Sequence, residues 1–86
     1  MKTVKFFYQR NCPFCRKAMR YIDEARAAHP ELAAVTVEPI EETDEPEVAD
    51  RFDYYYVPTF FVGGVKVHEG GILPDEVERV LRMALE

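Results

Sequence analysis

These 86 residues predict one α/β domain, spanning 1–86, in which a four-stranded mixed sheet carries three helices in the order β-α-β-α-β-β-α. Three observations predict it. An apolar, strand-like segment near the start runs directly into an amphipathic helical pattern over 13–28. Two short β-branched and aromatic runs flank Gly63-Gly64. A last amphipathic pattern opens at Pro74. Apolar residues make up 48% of the chain, which excludes a disordered polymer. A chain this short buries about 60–65% of its unfolded surface, so it supports one core and one domain.

Thr3-Val4-Lys5-Phe6-Phe7-Tyr8 reads as the first strand. Both parities are apolar or long-chained, as in a central strand covered on two faces. Residues 9–11 form a loop. The first helix, 13–28, has an apolar stripe of Cys15, Ala18, Met19, Ile22 and Ala25, with Arg16, Lys17, Arg20, Asp23 and Glu24 on the other face. His29-Pro30 ends it. Val35-Thr36-Val37-Glu38 alternates and predicts a second strand, parallel to the first across a helical crossover. Residues 39–47 read as an acidic turn, and Pro46 opens a short helix with Val48, Ala49 and Phe52 on its apolar face. Residues 59–62 and 65–68 predict strands three and four. Gly63-Gly64 is their hairpin turn, because glycines supply the positive φ such turns need. Gly70-Gly71 marks a break. The last helix has Asp75 and Glu76 in its first turn and an apolar face of Val77, Val80, Leu81, Ala84 and Leu85.

Chemistry concentrates in Asn11-Cys12-Pro13-Phe14-Cys15, which holds the only two cysteines. Pro13 suits the first helical position, where its missing N–H costs nothing and its φ is already helical. That makes Cys12 the N-cap and Cys15 the third helical residue. An N-cap sulfur faces free backbone N–H groups and the positive end of the helix dipole, and both favour thiolate. Such sites lower a cysteine pKa from about 8.5 into the range of about 3.5–7.5. One turn separates the two cysteines by about 5–6 Å, the span a disulfide wants. The expected roles follow: Cys12 attacks, and the more buried Cys15 resolves. Phe14, set between them near the helix start, is expected at the contact surface. A structural zinc site is not expected, because it needs four ligands and only His29 and His68 could join the cysteines.

The net charge of −5 is unevenly spread. Residues 1–29 carry seven Lys/Arg against two Asp/Glu, whereas residues 30–86 carry four against fourteen. The dithiol therefore lies in the basic third, near Arg10, Arg16 and Lys17, a field that favours thiolate and attracts anionic thiol substrates. The acidic balance and the lack of a basic, aromatic-laced stripe argue against nucleic-acid binding. No run approaches the ~20 residues of a membrane span, and Met1-Lys2-Thr3-Val4-Lys5 lacks a signal peptide's apolar run. A reducing cytoplasm is the expected location, where a lone cysteine pair is more plausibly catalytic than structural.

Cys12-Pro13-Phe14-Cys15 resembles the dithiol motif of glutaredoxins. Val57-Pro58-Thr59 resembles the loop before the third strand in the thioredoxin superfamily, and Gly70-Gly71 resembles the glycine pair preceding the last glutaredoxin helix. The resemblance spans nearly the whole chain, in the right order. It implies a thioredoxin-like, glutaredoxin-type fold, a cis Pro58 facing the dithiol, and a Val57 backbone that binds an extended substrate beside Cys12 as an added strand would. It places Pro13, Phe14, Gly70, Gly71 and Asp75 in the substrate-binding region with Arg10. Some positions depart from the glutaredoxin pattern. Tyr56 stands where a small hydroxyl residue is usual, Gln9 where a basic residue often lies, and Asp75 comes one residue late. Thr59-Phe60-Phe61 is closer to thioredoxins, yet Phe6 stands where thioredoxins keep a buried acid.

The resulting expectation is a monomeric dithiol oxidoreductase that reduces disulfide-containing proteins or low-molecular-weight disulfides. It would use no bound cofactor beyond the redox-active Cys12–Cys15 disulfide. Glutathione or a thioredoxin reductase would supply electrons. The alternative from a different class is a binding module that carries an iron–sulfur cluster or metal through Cys12.

Overall fold

The computed structural model describes residues 1–86. Its elements are strand β1 (Val4–Tyr8), helix α1 (Pro13–Ala28), a 3-10 turn (Pro30–Ala34), β2 (Val37–Glu41), α2 (Pro46–Ala49), β3 (Thr59–Val62), β4 (Val65–Glu69) and α3 (Pro74–Ala84). The strands form one mixed sheet in the order β2-β1-β3-β4. β1 runs parallel to β2 and antiparallel to β3, and β3 pairs antiparallel with β4. The predicted element order and sheet hold.

β1 is central and buried on both faces. Val4 and Phe6 point to the side covered by α1 and α3, and Phe7 points to the other. The larger face joins Val4, Phe6, Phe60 and Val62 of the sheet to Ala18, Ile22 and Ala25 of α1 and to Val77, Val80, Leu81 and Ala84 of α3. The smaller face rests on Phe7, Ile40 and Phe61, closed by half-buried residues that include Val48, Ala49, Phe52, Tyr54 and Val57. Phe7 lies 5.0 Å from Phe52 and 4.8 Å from Tyr54, centroid to centroid.

Three elements differ from the sequence reading. β2 covers Val37–Glu41 rather than 35–38. Val35 instead closes the 3-10 turn, its N–H donating to the Leu32 carbonyl, and is buried in the larger core. Pro39 lies inside the strand, where the sequence predicts a turn. β2 is an edge strand, and its even-numbered amides face β1: the Val4 N–H donates to the Thr36 carbonyl and the Glu42 N–H donates to the Tyr8 carbonyl. The Pro39 nitrogen therefore points away from the sheet, where a missing N–H costs no ladder bond. α2 is only one turn long, and Phe52 follows it in the loop while still packing on the smaller face. Finally, Leu85 lies past α3 as its C-cap and is partly exposed.

The hairpin follows the glycine signal. Gly63 and Gly64 have φ of +57° and +84°, a region that side chains with a Cβ avoid.

Candidate active site

The carboxyl end of β1 delivers the chain into the site. The Cys12 N–H donates to the Gln9 carbonyl at 3.2 Å, which closes a tight turn after the strand. Cys12 then has an extended backbone (φ −100°, ψ 114°) and Pro13 opens α1. The Cys15 N–H donates to the Cys12 Sγ at 3.2 Å. Cys12 is thus an N-cap whose capping atom is sulfur, and an N–H donor and the positive helix end both favour negative charge there.

Both thiols are free, with Cys12 partly exposed and Cys15 buried. The Cys15 thiol is pushed up to about 12, first by burial and then by its S–H donating to the Cys12 sulfur. Burial therefore sets the two thiols apart. Cys15 retains the proton and shares it with Cys12, the more exposed of the two.

The register brings the second expected motif to the same end of the sheet. Phe7 pairs with Thr59, so the preceding Pro58 lies beside the exit of β1. The Val57–Pro58 peptide is cis, as the resemblance implies. The Gly70 N–H donates to the Pro58 carbonyl at 2.8 Å, and Gly70 itself has φ +93°, which favours glycine. Gly71 adjoins the Phe14 ring, 3.5 Å from where its Cβ would lie. Cys12, Pro13, Phe14, Pro58, Gly70 and Gly71 thus gather at one end of the sheet, and Phe14 is 59% exposed there.

Two expected residues are placed differently. Arg10 does not stand free toward a substrate. Its guanidinium pairs with Asp44 and with Glu41 at 3.3 Å, and its backbone N–H donates to Glu41 at 3.0 Å. Asp75 lies in the groove between α1 and α3, of about 360 Å³, beside Tyr21, Glu24 and Ala28 on the far half of α1 and His29 just past its end. The local cations outside any ion pair are Arg16 and Lys17, the latter 5.7 Å from the centre of the Phe14 ring. Arg16 lines a small cleft of about 140 Å³ beside Cys15, with Tyr8, Gln9, Arg10 and Met19.

Sequence reasoning passed over several residues that hold these loops. Glu41 is buried and accepts from the Thr43 hydroxyl, the Thr43 N–H and Arg10. Its carboxyl is held down to about 2, the Thr43 hydroxyl being the largest cause, with the two backbone amides and the Arg10 charge adding to it. Glu42 accepts from the Tyr54 hydroxyl at 2.6 Å and from the Gln9 side chain, tying the dithiol loop to the segment before Pro58. Glu69 fixes that segment from the other side. Apart from Glu41 and Thr43, these partners lie 12 to 33 residues apart, and no local pattern announces them.

No group of three His, Cys, Asp or Glu side chains is placed to hold a metal ion, and no helix is long and apolar enough to cross a membrane.

No family model matches the chain, and no curated protein sequence does. Solved structures do. A structure described as a malarial protein superposes with a TM-score of 0.76 at 11% identity, covering 100% of this chain and 99% of that one. The oxidised mitochondrial thioredoxin 3 of Saccharomyces cerevisiae gives 0.71 at 22% identity, covering 95% and 77%. A mutant thioredoxin from Halobacterium salinarum gives 0.73 at 19% identity, covering 99% and 75%. The fold is that of thioredoxin.

Proposed function

We propose that the chain is a dithiol–disulfide oxidoreductase, glutaredoxin-like in its Cys12-Pro13-Phe14-Cys15 motif, with Cys12 as nucleophile and Cys15 as resolving thiol. The observation that supports this most is the Cys15 N–H directed at the Cys12 sulfur at 3.2 Å, with Cys15 itself buried and protonated beneath it.

The reaction follows from that arrangement. The Cys12 thiolate attacks one sulfur of a substrate disulfide, and the substrate S–S bond breaks. The departing sulfur leaves as thiolate and takes a proton from solvent. Cys12 is now in a mixed disulfide and no longer accepts the Cys15 proton as a thiolate would. Cys15 loses that proton to solvent and attacks the Cys12 sulfur. The mixed disulfide breaks, the second substrate thiolate departs, and a Cys12–Cys15 disulfide remains. Two electrons have passed from the dithiol to the substrate, with no bound cofactor. An external thiol reductant, glutathione or a reductase, returns them.

The substrates we infer are disulfide-bonded proteins or low-molecular-weight disulfides. The decisive experiment pairs two variants in insulin reduction with dithiothreitol as electron source. Cys12→Ser is expected to abolish turnover. Cys15→Ser is expected to accumulate a mixed disulfide visible by mass spectrometry. Full activity in Cys12→Ser overturns the assignment. Coupled NADPH assays, one with glutathione and its reductase and one with thioredoxin reductase, identify the electron source.

A further inference from the structure

Glu69 closes β4, and its carboxylate reaches across to the loop before Pro58. Its Oε2 accepts from the Tyr55 N–H at 2.6 Å and from the Tyr56 N–H at 3.0 Å. Its Oε1 accepts from Lys66 Nζ at 2.7 Å, and that same ammonium donates to the Asp53 carbonyl at 3.1 Å. Gly70, the next residue after Glu69, donates to the Pro58 carbonyl. The end of β4 therefore grips the loop on both sides of Val57–Pro58. The Thr59 hydroxyl adds a bond to the Tyr56 carbonyl.

What this grip displays is unusual for a surface loop. Tyr55 and Tyr56 are 86% and 71% exposed, so their rings add little to the core. Their backbone is nonetheless fixed by charge-assisted bonds, which are about twice as strong as neutral ones. A carboxylate that captures two successive amides orders a segment whose side chains face outward. The Glu69 carboxyl is held down to about 2, chiefly by Lys66 and then by the two amides, so the grip persists throughout the neutral range.

We propose that Glu69 is a positioning residue for substrate docking: it holds the backbone of Tyr55 and Tyr56 so that the Val57 edge and the two exposed rings meet an extended polypeptide carrying the target disulfide. This rests on the oxidoreductase reading above. The polypeptide gains backbone hydrogen bonds at the edge and aromatic contact from the rings. A small disulfide reaches Cys12 without using either.

The test compares insulin with hydroxyethyl disulfide as substrates of the wild-type chain, Glu69→Ala and Glu69→Gln. Glu69→Ala is expected to lower kcat/KM for insulin about tenfold more than for the small disulfide, with the loss in KM rather than kcat. Glu69→Gln keeps an acceptor oxygen without the charge and is expected to show the same bias at about threefold; it carries the test should Glu69→Ala not fold. With an active wild type, equal losses on both substrates, or none on insulin, overturn this inference alone. A wild type that reduces neither disulfide overturns it together with the oxidoreductase reading.

Discussion

The two faces of the sheet are built to different standards. The face under α1 and α3 packs into a core of fourteen buried residues, whereas the core on the opposite face has three. The first is closed by two long helices with clear apolar stripes. The second is closed by a one-turn helix and an aromatic loop, none of whose residues up to Tyr56 is buried. The dithiol belongs to the thick face, because Cys15 is part of the buried side of α1. The docking loop belongs to the thin one, through Tyr54 and Val57. Helix packing fixes the sulfurs, whereas side-chain bonds from Glu42 and Glu69 fix the loop, so the two faces hold their parts of the site by different means.

The strongest test of this contrast is truncation of the thick face. Phe60 is fully buried and stacks 5.0 Å from Phe6. Phe60→Ala is expected to cost about 3–5 kcal/mol, read from the urea midpoint, a large share of what so small a domain has. Phe52→Ala, on the thin face, removes a ring that is only half-buried and should cost about 1–2 kcal/mol. Equal losses in the two variants break the comparison.

Acid sharpens it further, because each half of the site hangs from one depressed carboxyl. Glu41 anchors the dithiol loop and Glu69 the docking loop, each held down to about 2 from an ordinary 4.5. The folded state thus binds fewer protons than the unfolded chain between these values. Its stability should be complete above about pH 4.5 and decline as the pH falls toward 2. Glu41→Gln is expected to flatten part of that decline in thermal melts, and a wild-type profile flat from pH 5 to 2 contradicts the assignment. The smallest effect lies on the outer side of α1. Arg20 and Glu24 pair at 3.8 Å in solvent, so Arg20→Ala should shift stability by less than about 0.5 kcal/mol.

The thick face is legible in the sequence and the thin one much less so. Pro13 after Cys12 marks both the helix start and the capping sulfur, and the stripe from Cys15 to Ala25 marks the covered side. Gly63-Gly64 marks the hairpin. The alternation of Val35-Thr36-Val37-Glu38 puts β2 too early, because the 3-10 turn draws Val35 into the core instead. Pro39 looks like a break because only the sheet order shows its nitrogen facing outward. The cis bond at Pro58 is legible through the family resemblance alone. Charge counting puts Arg10 at the substrate, but counting cannot see Asp44, its partner 34 residues on. Glu69 escapes notice for the same reason: its amide partners come 13 and 14 residues earlier.

Pro39 has one more consequence. A foreign strand seeking to extend the sheet beyond β2 needs a donor at the middle of that edge and meets a pyrrolidine ring instead. On the opposite rim, Lys66 sets a cation into β4. Both margins therefore discourage edge-to-edge aggregation, a hazard for any small open sheet crowded in solution.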